Sequence, residues 1–332
     1  RIHRLYFFTA IFSIIFLLLC SIMVQSHSPL WTYPLYIWKE VYIILLLHMI
    51  YGLLNSSIPV EVAKIIYGPL GAVGALGGLL GGALTSTLTG YISVHEIIYF
   101  SNFIIFLSLL TFYQSKEKLS KAQIEDEKKN ISPLKSIRDC KSYVFLMAFM
   151  IILTQFCINI VHFKFNLALE EGVPGSLGKT QYYGQILTWI GALNFSAQIF
   201  IIPLLYRVIK NKTIHFSIPL MYSLIFITSL FFGGGLYSLS FLFVAFKGFD
   251  YSVFSVAKEI LYFPLSGLQK YGAKYIVDMF SYRFGKGIIS VVLLYLQDVF
   301  LLNILLFSSL TLWLISLFFL FKSESQLPSK VS

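Results

Sequence analysis

Apolar runs of about twenty residues recur along this chain from one end to the other, and a run of that length crosses the hydrocarbon of a bilayer as one helix. A helix closes its own backbone hydrogen bonds in lipid without help from a neighbour. A β-barrel is excluded, because barrel strands alternate apolar and polar residues and these runs do not. With 57% of 332 residues hydrophobic and 12% charged, little is left over for a separate soluble domain. The expected fold class is all-α, a polytopic membrane protein.

The pattern predicts ten spans, at residues 5–25, 34–54, 65–88, 96–113, 142–165, 183–206, 215–234, 236–262, 272–296 and 299–321. Arg1 and Arg4 precede the first, but its apolar core is too long for a signal peptide and no small-residue cleavage site follows. The one long polar segment, 114–141, divides the spans four before and six after. The expected organisation is an N-terminal helical half at 1–113, a charged cytoplasmic linker at 114–141, a six-helix half at 142–322 and a polar tail at 323–332. Two six-helix halves joined by a charged loop are a common transporter plan. Four plus six fits that plan with the first two of twelve helices missing; a genuine ten-span protein is the alternative.

The formal net charge of +10 has a topological reading. Assigning alternate loops to one side places 19 of the 25 basic residues there, while the opposite loops hold essentially Lys179 alone. The positive-inside rule then puts both termini and the linker in the cytoplasm of a bacterial inner membrane or an organelle equivalent. The partners so implied are membrane lipids rather than nucleic acid. Cys20, Cys140 and Cys157 show no CxxC or Cys/His spacing, so neither a disulfide nor a metal is expected.

Charge is concentrated where lipid should forbid it. Between Lys247 and Lys286 the apolar sequence is interrupted by Asp250, Lys258, Glu259, Lys270, Lys274, Asp278 and Arg283. An ionisable group inside hydrocarbon is costly unless it is paired or wetted, so the default reading is a path or site for a charged solute. Lys247, Asp250, Phe254 and Lys258 recur at helical spacing, Pro264 ends that helix, and Lys270, Lys274 and Asp278 form an i, i+4, i+8 stripe on the next. Lysines so placed suit an anion, and cytoplasmic flanking charge is the alternative.

Three other features bear on function. Seven glycines from Gly68 to Gly82 recur at spacings of three and four, which lets helices approach closely in a membrane. Lys39 and Glu40 are adjacent and point about 100° apart; Glu40 is the interior candidate, because the longer Lys39 snorkels more easily. Asn159 and His162 share a face near the predicted outer end of their span, with Lys164 beside them. There is no Walker motif, GxSxG, HExxH or catalytic carboxylate pair. No enzymatic activity and no cofactor are expected.

At these residues the chain resembles the ATP/ADP translocase family of nucleotide transporters, distantly related to the major facilitator fold. Tyr251, Ser252, Phe254, Lys258, Glu259, Tyr262, Pro264 and Leu265 match one family segment, Lys274 and Asp278 a second, and Gly285 with Lys286 a third. Glu40, Asn55, Ala63, Lys64, Tyr67, Asn159, Val161, Gly184, Thr188, Trp189 and Gly191 match elsewhere. His162 stands at what looks like a family glutamate, Ser255 and Val256 replace an Asp-Pro pair, and Gly272 replaces a lysine. The resemblance implies a major-facilitator-like bundle exchanging nucleotides or a related phosphorylated anion by alternating access. Lys270, Lys274 and Lys164 would attract phosphates, and Glu40, Asn159, Glu259 and Asp278 would orient those lysines or gate the path. The alternative is a non-transporting subunit of a larger membrane complex on the same fold.

Overall fold

The computed structural model describes residues 2–25, 29–57, 60–119 and 133–326, and every regular element among them is helical. The centre of the predicted linker and the end of the tail lie outside the described residues, as do the side chains of Asn55, Ala63, Lys64 and Tyr67. Long uninterrupted stretches of Leu, Ile and Phe become helices α1 (Ile2–Gln25), α2 (Thr32–Ser57), α3 (Val60–Leu88) and α4 (Val94–Leu119). A single turn, α5 (Pro133–Ser136), precedes α6 (Lys141–Gly172) and α7 (Ser176–Ser196). The remainder comprises α8 (Ile202–Val208), α9 (Asn211–Phe231), α10 (Leu236–Phe249), α11 (Ser255–Ile260), α12 (Gly267–Lys274), α13 (Tyr282–Tyr295) and α14 (Val299–Glu324). Among the described residues, eight helical segments are long and apolar enough to cross a membrane. The protein is thus an all-α chain of the multi-pass membrane type. The predicted spans at 34–54 and 272–296 are helical but lie outside those eight, the second because Lys274, Asp278, Arg283 and Lys286 cross it.

Two compact units divide the chain. The first comprises residues 1–71 and 84–128, the second 72–83 and 129–332, so α3 contributes its ends to one and its middle to the other. In the first unit α1 packs against α2 and α4 around Tyr6, Ala10, Leu17, Leu46, Met49, Ile105 and Leu109. The Tyr6 hydroxyl donates to Ser108 Oγ at 3.1 Å and its ring stacks on Phe112, which fixes the register of α1 on α4. Trp38 of α2 sits edge-on to Phe12 and Phe16 of α1.

In the second unit α6 is the central post, touching α10, α13 and α14 along its length. Met147, Met150, Cys157, Ile160, Val161 and Phe165 are fully buried along it. Gly285 explains how closely α13 approaches: a Cβ there would sit 3.0 Å from Ile152 Cα of α6. The middle of α3 meets α7 more tightly still. A Cβ at Gly191 would lie 2.4 Å from Leu79 N, and one at Gly82 would lie 2.5 Å from Thr188 N. Backbone therefore rests on backbone, as small residues permit in a bilayer that supplies no hydrophobic force between helices. A turn at Gly233 to Gly235 joins α9 to α10, with Gly233 and Gly234 at φ of 78° and 63°, a left-handed geometry that favours glycine.

Candidate functional site

The charged stretch is not carried on regular helices. A π turn at Asp250–Phe254 separates α10 from α11, and another at Tyr275–Ser281 separates α12 from α13. A third, Ala197–Ile201, lies between α7 and α8. Each such turn adds a residue, so side chains beyond it are rotated by about 100° from their α-helical direction. The expected single face of Lys247, Asp250, Phe254 and Lys258 is therefore corrected: the first π turn rotates Lys258 away from the line of Lys247. The stripe of Lys270, Lys274 and Asp278 is broken in the same way, because Asp278 lies inside the second π turn.

What replaces the stripes is a crossed pair of ion pairs. Lys258 Nζ donates to Asp278 Oδ1 at 2.7 Å, and Lys274 Nζ donates to Glu259 Oε2 at 2.6 Å. Neighbouring residues of α11 thus each hold a residue of the segment that follows, and the two partners are four positions apart. The two pairs differ in depth: side-chain exposures are 19% and 26% for Lys258 and Asp278, but 48% for both Lys274 and Glu259. Aromatic rings line the lysines. Lys274 lies 5.3 Å from the Tyr262 ring centre, Lys270 is 5.2 Å from that of Phe263, and Lys247 is 4.8 Å from that of Tyr251, where it also donates to the hydroxyl at 3.1 Å. These are cation–π distances. Tyr262 is buried, and its hydroxyl lies within electrostatic reach of Asp278 and Glu259 without a hydrogen bond of regular geometry.

The short helix α11 is pinned from two sides. Tyr143, near the start of α6, donates its hydroxyl to Leu261 O at 2.8 Å. On the other side Ala257 O accepts from His215 Nε2 at 3.0 Å and from Asn211 Nδ2 at 3.4 Å, both on α9. A carbonyl only accepts, so His215 carries its proton on Nε2. The last carbonyls of a helix need outside donors, and these side chains supply them. Pro264 stands four residues beyond the helix end, where chain continuation as helix is blocked.

Lys164, Asn159 and His162 belong to a different place. Tyr143 marks where the ion pairs meet α6, and at a rise of about 1.5 Å per residue Asn159 is roughly 24 Å and Lys164 roughly 31 Å further along that helix. The structure therefore does not bring Lys164 together with Lys270 and Lys274. Lys164 is 5% exposed, donates to Asn303 Oδ1 of α14 and lies 5.4 Å from the Phe226 ring centre. Asn159 donates to Gln155 O of its own helix at 2.7 Å, a local bond that does not orient a lysine. His162 stacks on Phe243 at 4.7 Å and meets the Tyr183 hydroxyl at 3.0 Å. In the first unit Glu40 pairs with Lys39 at 3.3 Å, so the expectation that these neighbours point to different surroundings is corrected; flexible side chains overcome the 100° between their Cβ directions.

Sequence reasoning passed over Asn303, Tyr143 and Tyr262 as members of these sites. A lone Asn in the last span is the signal for the first, and Tyr262 stands among the residues matched to the family segment; Tyr143 carries no such signal. An open groove of about 730 Å³ beside Arg283, floored by Met279, Phe280, Phe284 and Val291, is almost wholly apolar and offers no chemistry. Among the described residues no group of three or more His, Cys, Asp or Glu stands close enough to hold a metal ion.

Comparison with protein-family models, with curated proteins and with solved structures finds no match.

Proposed function

We propose that the chain is a secondary transporter that exchanges nucleotides or a related phosphorylated anion by alternating access of a major-facilitator-like bundle. The observation that carries this reading is the pair of crossed salt bridges, Lys258 with Asp278 and Lys274 with Glu259, at helix breaks in an otherwise apolar bundle. Ion pairs add little stability at such exposures and cost desolvation when buried, so their use is better sought in a solute. From Lys247 to Lys286 six basic residues face three acidic ones, and the excess favours an anion. Lys274 and Lys270 are the exposed-side cations and sit over aromatic rings, which gives a base or sugar a surface beside the phosphates. Glu259 and Asp278 hold Lys274 and Lys258 ready, and an entering phosphate exchanges for the carboxylate at each ammonium. Lys164, about 31 Å away along α6, is not part of this first contact.

Reconstituted vesicles loaded with ADP provide the test. Labelled ATP should enter them, and alanine at both Lys274 and Glu259 should stop it. Uptake that survives that double substitution refutes the assignment.

A further inference from the structure

Asp250 is unlike every other carboxylate in the described chain. At 7% exposure it is the one carboxylate among the described residues in the buried interior: Glu96, Asp139, Glu170, Glu171, Glu259 and Asp298 are exposed, Glu40 and Asp278 are paired, and Glu324 is half-buried near the end of α14. No hydrogen bond or ion pair within 4 Å reaches its carboxylate among the described residues. It opens the π turn between α10 and α11, the kind of local widening that recurs at working sites.

Its surroundings are polar but committed elsewhere. Lys247 of α10 and Lys258 of α11 lie within electrostatic reach, yet Lys247 donates to Tyr251 and Lys258 to Asp278. From α9, Tyr222 faces it and gives its own proton to Phe246 O at 2.7 Å, while His215 reaches the far side of the same turn through Phe254. Tyr282 of α13 faces Lys247, and Cys157 of α6 faces Tyr222. From α14 comes Trp313, which cannot titrate. The α7 and Ala197–Ile201 segments packed on the turn carry no titratable side chain from 184 to 205; Asn194 and Gln198 there bond to one another at 2.9 Å. A buried carboxylate with no donor is poorly tolerated as an anion and is readily neutralised by a proton.

We propose that Asp250 takes up one proton and releases it again in each transport cycle, so that anion and proton move together. This rests on the transport reading above. The step is a simple one: a carboxylate oxygen binds a proton from water on one side, the carboxyl is neutral while the path reorients, and the proton returns to water on the other side. Neutralising Asp250 removes a negative neighbour from Lys247 and Lys258 and leaves their positive field to the solute. Anion binding and proton binding therefore favour one another, as linkage requires. The direction is symport.

Proteoliposomes made with the full chain, their membrane potential clamped with potassium and valinomycin, separate coupling from transport itself. Counterflow of labelled ATP into ADP-loaded vesicles at equal pH reports exchange. In vesicles without internal nucleotide, where uptake is net and no departing ADP carries a proton out, an acid exterior with one proton per ATP and a gradient of about one pH unit should raise accumulation about tenfold over the equal-pH level. Asp250→Asn should return that rise to the equal-pH level, and Asp250→Glu should keep most of it. Wild-type counterflow with no response to the gradient overturns the proposal and leaves the transport reading intact; so does a response that persists in Asp250→Asn, or one driven by sodium instead. Absence of both counterflow and accumulation in the wild type overturns the transport reading and the coupling with it.

Discussion

Lys258 and Asp278, twenty positions apart, meet at 2.7 Å with 19% and 26% of their side chains exposed, while the neighbouring pair Lys274 and Glu259 meets at 2.6 Å with about half of each side chain exposed. Equal geometry at unequal depth gives unequal energies. Removing one partner of a buried pair strands a charge, whereas an exposed partner is rehydrated.

Asp278→Asn should therefore lower stability by about 2 kcal/mol, part of the cost of breaking a buried pair. Glu259→Gln should change it by less than about 1 kcal/mol. Thermal unfolding in detergent compares them directly, and exchanging the charges, Lys258→Asp with Asp278→Lys, should recover most of the first loss. Equal effects of Asp278→Asn and Glu259→Gln would show that depth does not govern the two pairs.

The crossing of α3 on α7 makes a sharper distinction among glycines than their spacing does. Alanine at Gly82 or Gly191 meets backbone atoms nearer than 3.0 Å, and overpacking of that kind costs about 1–3 kcal/mol. Alanine at Gly74, Gly77 or Gly78 meets nothing within 4 Å and should be neutral or stabilising by up to about 1 kcal/mol. Unfolding temperatures of the five single variants decide it.

How much of this was legible beforehand varied with the kind of signal. The helices announce themselves, because length and continuous apolarity alone make a membrane helix; α1 and α14 lie close to their predicted ranges, while α4 and α6 begin where expected and run on past their predicted ends. The charged stretch was also visible, as a departure from that same pattern. Its wiring was not. Periodicity assumes a regular 3.6-residue turn, and the π turns at Asp250–Phe254 and Tyr275–Ser281 invalidate that assumption where it mattered. Lys258, expected on the face of Lys247, instead reaches Asp278. Lys164 looked like one more phosphate ligand because sequence gives residue type but not depth; its partner, Asn303, lies 139 positions away.

Lys164 carries its charge into the interior with an amide and a ring for company. Replacing a buried charge by an apolar side chain of similar volume is often neutral or stabilising by about 1–4 kcal/mol. Lys164→Met should accordingly unfold at the same or a higher temperature than the wild type. Asn303→Leu, which keeps the charge and removes its acceptor, should cost about 3 kcal/mol. A strongly destabilised Lys164→Met would mean that the ammonium is needed for folding.

Topology is open to a direct chemical test. The native cysteines are all buried, so single cysteines introduced elsewhere can be labelled selectively after Cys20, Cys140 and Cys157 are replaced by alanine. The positive-inside rule predicts that positions 210 and 325 react with an impermeant maleimide from the cytoplasmic side and position 179 from the opposite side. Reaction of 210 and 179 from the same side would contradict the loop assignment.

On the transport reading, the crossed salt bridges serve an anion path through the membrane. The initial rate of labelled ATP uptake tests it most directly, measured in vesicles with ADP inside, in vesicles without it, and in vesicles lacking protein. Internal ADP should stimulate uptake by the wild type, and alanine at both Lys274 and Glu259 should abolish the stimulation. Uptake by the wild type no faster than in protein-free vesicles would contradict it.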